Sequence, residues 1–158
     1  MGVIKGSHTV EIAAPLARVY EVAANVEGAA EWQPSVLAVE VLDTHPDGSA
    51  KRVELEVDAS IKKSRAILAY EYQPPNGLSW VQEKGDPKSL EGSWELEEID
   101  ADHTRATYHL ESDPGRMLGM LLRGPVEGKV KEFLTKGAAE GLKAVSYTHL
   151  TLPTNREV

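Results

Sequence analysis

The succession of alternating segments constrains this fold more than any other feature of the sequence. From about residue 36 to residue 112, apolar and polar residues alternate in short segments, separated by turn signals at intervals of roughly a dozen residues. Connections this short join antiparallel neighbours and leave no room for βαβ crossovers. The sequence therefore predicts six consecutive antiparallel strands, with turns such as PDGS at residues 46–49 and PPNG at residues 74–77 between them.

A seventh strand and two short helices are predicted before these six strands. Residues 7–13 alternate, with His8, Val10 and Ile12 on one face. Pro15 then suits the start of a helix, and the apolar residues at positions 16, 19, 20 and 23 form a stripe along it. Asn25 is expected to end this helix, and a further helical turn is expected before the next strand.

A long amphipathic helix is predicted after the strands. Residues 113–115 form a helix start signal, and Pro125 interrupts the helix near its beginning. Its apolar stripe consists of Val126, Val130, Phe133, Leu134, Gly137, Gly141, Leu142 and Val145. An antiparallel sheet with one apolar face must cover that face, and this stripe is the large apolar surface left in the sequence. We therefore predict an α+β fold in which a seven-stranded antiparallel sheet curls around the long C-terminal helix.

The sequence resembles the START-related superfamily, also called SRPBCC, of polyketide cyclases/dehydrases, coenzyme Q-binding proteins and lipid-transfer domains. The segments that carry the resemblance are VEIAAPLARVYEVAANVEGAAEWQPSV, PPNGLSW, and GDPKSLEGSWELEEID leading to DPGRMLGMLLRGPV. The resemblance covers about residues 4–144 and implies the helix-grip fold of the birch-pollen-allergen type. It also implies an elongated apolar cavity between the sheet and the long helix, where family members bind hydrophobic molecules.

Residues 1–145 are expected to form one START-like domain, and the last segment stands apart from it. In residues 145–158, helix formers give way to β-branched residues and Pro153. The run VSYTHLTLPT also resembles the out-of-frame translation of a transposase adapter used in sequencing libraries. We therefore expect residues 146–158 to be a non-native tail and exclude them from the functional argument. The alternative is a genuine edge strand or tail.

Composition excludes several functional classes. The 158 residues contain no cysteine, which excludes disulfide scaffolds, thiolate metal sites and cysteine nucleophiles. The net charge of −8 repels phosphate backbones, so nucleic acid is not an expected partner. No apolar run reaches the roughly 18 residues of a membrane span and no secretory signal is present, so we predict a cytoplasmic protein without an integral membrane segment. No nucleotide or metal motif occurs, and no cofactor is implied.

Inward aromatic, methionine and glutamine side chains are the candidate ligand contacts. Their polar tips need partners, which are easier to find at the wall of a partly solvated pocket than in a dry core. The same residues also suit a filled core, and Gly92, Gly137 and Gly141 suit either a cavity or close backbone packing. The candidate ligand-binding residues are Trp32, Tyr70, Tyr72, Trp80, Gln82, Trp94, Tyr108, Met117, Met120 and Phe133.

The sequence contains no recognisable catalytic constellation. Among the acidic residues of the predicted strands, Glu98 alone falls at a position whose side chain faces inward. Among the histidines, His8 alone does. A strand histidine with no orienting acid nearby in sequence makes no triad, so we predict neither catalytic residues nor metal ligands. The basic residues 62, 63 and 65 suit either an anionic head group at a pocket mouth or an exposed hairpin end.

Three functions follow from these observations. The favoured one is a carrier or sensor that binds a lipid, an isoprenoid quinone or a polyketide-like molecule. The second is a cyclase, aromatase or dehydratase acting on such a ligand, with His8, Tyr70, Tyr72, Gln82 and Tyr108 as candidates. The third is a protein-interaction module similar to the ribosome-associating toxin of the same superfamily, with an unknown protein partner.

Overall fold

Seven strands form one antiparallel sheet, as the sequence predicts. The computed structural model describes residues 4–58, 63–115 and 125–156, with side chains up to residue 146. The strands are β1 (Ile4–Ile12), β2 (Val36–Thr44), β3 (Ala50–Asp58), β4 (Lys63–Gln73), β5 (Gly77–Gly85), β6 (Ser89–Asp100) and β7 (His103–Asp113). Their order in the sheet is β1-β7-β6-β5-β4-β3-β2. The first strand therefore pairs with the last, and β1 and β2 form the two edges.

The helices lie where the sequence predicts them. Between β1 and β2 the chain forms α1 (Leu16–Ala24), a 3-10 turn (Val26–Gly28) and α2 (Ala29–Trp32). Asn25 is the C-cap of α1, as expected. The long helix, α3, spans Pro125–Arg156. A proline suits this first position because the first helical N–H has no partner within the helix. The predicted apolar segment before Pro125 lies outside the described residues.

A bulge in β2 changes the predicted inward row of that strand. Val36 pairs with Val57, and Ala38 pairs with the next residue of β3, Glu56, so Leu37 is the extra residue. An extra residue reverses the side-chain phase, because successive side chains in a strand point to opposite faces. The alternation of Leu37 with Val39 and Val41 predicts that Leu37 faces inward, and this is wrong: its side chain is 42% exposed, and Val36 is buried instead.

The buried face of α3 is rotated from the predicted stripe. Val130, Leu134, Ala138 and Leu142 are buried at intervals of four residues. Val126 near the start of the helix is exposed, and Phe133 is only partly buried against the core. The buried row uses small residues at its centre because α3 packs closely on β1 and β7 and against α1 and α2.

Gly141 allows the closest approach between α3 and α2. A Cβ built on Gly141 would collide with the backbone carbonyl oxygen of Trp32, and one built on Gly137 would lie 3.4 Å from Cγ of Pro34. These two glycines therefore serve close packing between α3 and the α2–β2 segment, which was one of the two interpretations that the sequence left open.

The helix continues beyond residue 145, where the sequence composition changes. Residues 146–156 extend α3 to Arg156, so this segment does not form an edge strand. The side chain of Ser146 is fully buried, and its Oγ has no hydrogen-bond partner among the described residues. A buried hydroxyl without a partner destabilises the fold by about 1–3 kcal/mol. The foreign origin of residues 146–158 stays a prediction.

Two glycine substitutions in α3 test this packing in opposite directions. We expect Gly141→Ala to lower the free energy of unfolding by about 1–3 kcal/mol, because overpacking against the Trp32 carbonyl outweighs the better helix propensity of alanine. A Cβ built on Gly128 in the same helix meets no atom of the described residues within 4 Å. Gly128→Ala should therefore raise the free energy of unfolding by roughly 0.5–1 kcal/mol. Urea unfolding followed by circular dichroism measures both. Equal stabilisation by the two substitutions would contradict the close approach.

Candidate functional site

A cavity of about 110 Å³ lies between the inward face of the sheet and α3. It exists because α3 lies close to β1 and β7 rather than to β3, β4 and β5. Leu55, Leu68 and Leu78 line it on the sheet side, and Val130 and Leu134 line it on the helix side. Three small residues of the α1–α2 segment close one end: Ala23, Val26 and Ala29. The wall is therefore mostly aliphatic.

Five aromatic side chains form a continuous band across this wall. Tyr70 and Trp80 are directly opposite in the β4–β5 pair, and their ring centroids are 5.6 Å apart. Trp94 and Tyr108 are opposite in the β6–β7 pair, with centroids 4.8 Å apart. The Trp80 and Tyr108 rings join the two pairs at 5.8 Å, and Trp32 of α2 lies 6.1 Å from Trp94. These tilted contacts stabilise the band by more than area burial alone.

Gly92 makes this band possible. It lies opposite Trp80 in the β5–β6 pair. A Cβ built on Gly92 would lie 2.7 Å from Cζ2 of Trp80 and 2.8 Å from the carbonyl oxygen of His109. The indole ring therefore passes over the glycine to reach Tyr108, two strands away. At this position close packing, rather than an enlarged cavity, explains the glycine.

The two tyrosines of the cavity wall carry hydroxyl groups with unused hydrogen-bonding capacity. Gln33 Nε2 donates a long hydrogen bond of 3.5 Å to the Tyr108 hydroxyl oxygen, so the O–H of Tyr108 stays free to donate. No described residue accepts a hydrogen bond from the hydroxyl of Tyr70, although Tyr70 is buried. Burial raises the pKa of Tyr108 to about 12 and raises the pKa of Tyr70 well above its usual range. Both phenols are therefore neutral donors at pH 7.

The structure brings five of the predicted ligand-binding residues together and places three others elsewhere. Trp32, Tyr70, Trp80, Trp94 and Tyr108 line the cavity, whereas Tyr72, Gln82 and Phe133 do not. The last two predicted residues, Met117 and Met120, lie outside the described residues.

Local hydrogen bonds explain where Tyr72 and Gln82 point. The Tyr72 hydroxyl donates to the carbonyl oxygen of Ala50 at 2.7 Å, and burial raises its pKa to about 12. Gln82 Nε2 donates to the carbonyl oxygen of Pro87 at 2.9 Å, and its Oε1 has no partner among the described residues. Both side chains are therefore tied to the neighbouring turns rather than to the cavity.

The two ionisable residues that the sequence placed on the inward phase do not reach the cavity. His8 belongs to β1, and its side chain faces α3, where its Nε2 is 3.9 Å from Oε2 of Glu140. Glu98 pairs with the buried Thr104 of β7 and so keeps the predicted inward phase, but its side chain is exposed because it lies near the end of β6. The register shift of this strand comes after Glu98, between Glu98 and Asp100.

Sequence reasoning missed four polar residues of the wall. Ser64 and Ser112 follow the inward phase of β4 and β7, so the alternation contained a signal for them. Gln33 and Ser35 lie in the segment after α2, where no periodic pattern marks a direction. The Ser112 hydroxyl donates to the carbonyl oxygen of Ser89 at 3.0 Å. Of these four residues, Gln33 is the one that donates a hydrogen bond to a tyrosine of the wall, Tyr108.

The described ranges contain neither a membrane-spanning helix nor a metal cluster. No helix there is long and apolar enough to span a membrane. Within the same ranges no three His, Asp or Glu side chains are placed to hold a metal ion.

Comparison with known proteins identifies a family over most of this chain. The family described as polyketide cyclase / dehydrase and lipid transport matches residues 12–136. No curated protein matches the chain.

Several solved structures share the fold over nearly the whole chain. A START superfamily protein from Mycobacterium smegmatis has 20% identity and a TM-score of 0.79 over 91% of this chain and 97% of its own. The Zhui aromatase/cyclase from a Streptomyces species has 20% identity and a TM-score of 0.74 over 94% and 96%. A protein from Thermus thermophilus has 26% identity and a TM-score of 0.70 over 91% and 99%.

Because the phenols of Tyr70 and Tyr108 are buried, we predict that the free energy of unfolding falls at alkaline pH. The folded state keeps the Tyr70 and Tyr108 protons, whereas unfolded phenols release theirs near pH 10. Their contribution is therefore complete below about pH 10 and is lost as the pH rises toward the folded pKa. We expect the unfolding free energy of the parent protein to fall between pH 8 and pH 11. In the Tyr70→Phe variant this fall should be smaller by about 1 kcal/mol. Urea unfolding at the two pH values measures this, and equal losses would contradict it.

Proposed function

Since this chain belongs to the polyketide cyclase / dehydrase and lipid transport family, we propose that it is a carrier or sensor that binds a hydrophobic small molecule between the sheet and α3. The observation that carries the proposal is the space of about 110 Å³ between the sheet and α3, with aliphatic and aromatic walls. Pockets of this kind, with a few polar groups that orient the ligand, are typical binding sites. A lipid, an isoprenoid quinone or a polyketide-like molecule has the required apolar surface.

The cavity volume indicates which part of such a ligand is enclosed. An apolar cavity of roughly 150 Å³ is large enough to take up benzene. The space here is of the same order, and Trp80 and Trp94 offer flat faces against which a ring packs. We therefore propose that one ring of the ligand occupies the cavity and that any longer chain leaves it.

Binding is favoured over catalysis because of what the wall contains. A cyclase or dehydratase needs a general base within hydrogen-bond reach of the proton that it removes. The described wall offers phenols, serines and an amide, and no described carboxylate, histidine or lysine lines it. The enzyme alternative and the protein-interaction alternative stay predictions, and no described contact favours either.

Filling the cavity tests the proposal. Ala66 is buried in the wall, so Ala66→Leu should occupy the space and abolish uptake of isopropylbenzene. The parent protein should bind this probe and show a Tm that rises with its concentration, because a ligand that binds the folded state stabilises it. Ala38→Leu is the matched control, since Ala38 is exposed on β2. It should keep the parent's response.

A second variant keeps the test informative if the Ala66→Leu protein does not fold. Leu134→Ala enlarges the same cavity from the helix side and should keep or strengthen binding. Failure of the parent protein and of Leu134→Ala to bind either isopropylbenzene or acetophenone would overturn the proposal. The same holds if Ala66→Leu, folded by circular dichroism, binds as well as the parent.

A further inference from the structure

The described wall of the cavity carries no formal charge. Its ionisable members are Tyr70 and Tyr108, and both keep their protons at neutral pH. Two arginines of the sheet are engaged outside the cavity: Arg52 with Glu83, and Arg105 with Glu97 and Glu11. A ligand charge inside the cavity would therefore be desolvated without an opposite charge in the described wall, which is strongly unfavourable.

The two phenols supply donors in an otherwise apolar wall. The Tyr70 side chain lines the cavity, and its hydroxyl donates to no described residue, although it is not among the fully buried unpaired side-chain atoms. The Tyr108 hydroxyl accepts a hydrogen bond from Gln33, so the proton of Tyr108 stays free to donate. Both rings are fixed by contact with Trp80, at 5.6 Å and 5.8 Å between centroids. A ligand oxygen that reaches these donors in an otherwise apolar wall gains hydrogen bonds that the cavity alone does not make.

We infer that the cavity selects uncharged ligands that present a carbonyl or ether oxygen to the hydroxyls of Tyr70 and Tyr108. The inference rests on the proposed function, because it names the chemical class of the ligand that the same cavity takes. Such a cavity binds neutral aromatic ketones, quinones and esters in preference to free carboxylic acids, whose carboxyl group is ionised at pH 7. Tyr70 and Tyr108 are then the residues that determine specificity.

Three probes with nine non-hydrogen atoms each test the selection at equal size. Acetophenone carries a neutral carbonyl, isopropylbenzene carries none, and benzoate carries a charge. We expect calorimetric titration at pH 7 to rank acetophenone above isopropylbenzene and benzoate last. In Tyr70→Phe and Tyr108→Phe, the Kd of acetophenone should rise about threefold to tenfold, the effect of one net hydrogen bond. The Kd of isopropylbenzene should stay unchanged.

Tyr72→Phe is the matched control. The Tyr72 hydroxyl donates to the Ala50 carbonyl oxygen outside the cavity, so its removal should leave all three affinities at the parent's values. If acetophenone and isopropylbenzene bind the parent equally and Tyr70→Phe changes neither, the inference is wrong while the proposed function stands. Benzoate binding as tight as acetophenone binding also overturns it. Absence of binding by both neutral probes overturns the proposed function, and the inference with it.

Discussion

The position of α3 against one side of the sheet determines the rest of this structure. The helix packs on β1 and β7, and Gly141 brings it against the backbone of Trp32 in α2. Because α3 is held at that side and at that end, it does not pack over β3, β4 and β5. Side chains from these strands fill part of the space, and the remainder is the cavity. The same contacts that stabilise the core therefore leave a cavity within it.

The aromatic band packs the core and also lines the cavity. Tyr70, Trp80, Tyr108 and Trp94 contact one another in sequence across four strands, and each also lines the cavity. The sequence left open a filled core or a cavity, and the structure contains both a packed aromatic band and a cavity beside it. The two phenols are neutral hydrogen-bond donors at pH 7, as any tyrosine is, and burial raises their pKa so that they stay neutral at more alkaline pH as well.

Local patterns were sufficient to predict the architecture. Period-two alternation and turn residues gave the seven strands, and helical periodicity with Pro125 gave the long helix. One error arose where a single residue changes the phase: the extra Leu37 in β2 puts Val36 on the inward face in its place, while Val39 and Val41 pack inward as predicted. The rotation of α3 was missed because the sequence shows an apolar stripe but not which neighbour it packs against.

The candidate site was predictable only in part, for a related reason. Alternation places Tyr70, Trp80, Trp94 and Tyr108 on the inward face, and these residues do line the cavity. It places Tyr72 and Gln82 there as well, but hydrogen bonds to the Ala50 and Pro87 carbonyl oxygens hold them at the neighbouring turns. Such bonds depend on tertiary distances that periodicity does not contain. Gln33, which donates to Tyr108, follows a short helix whose direction no pattern fixes.

Native mass spectrometry of the purified full chain, followed by solvent extraction, measures the occupancy of the cavity most directly. A hydrophobic small molecule that co-purifies with the parent protein is expected, released by solvent and absent from Ala66→Leu. The extracted molecule should be uncharged and should contain a carbonyl or ether oxygen. A ligand-free mass for the parent protein, with no uptake from a panel of neutral aromatic ketones, would contradict a binding role for this cavity.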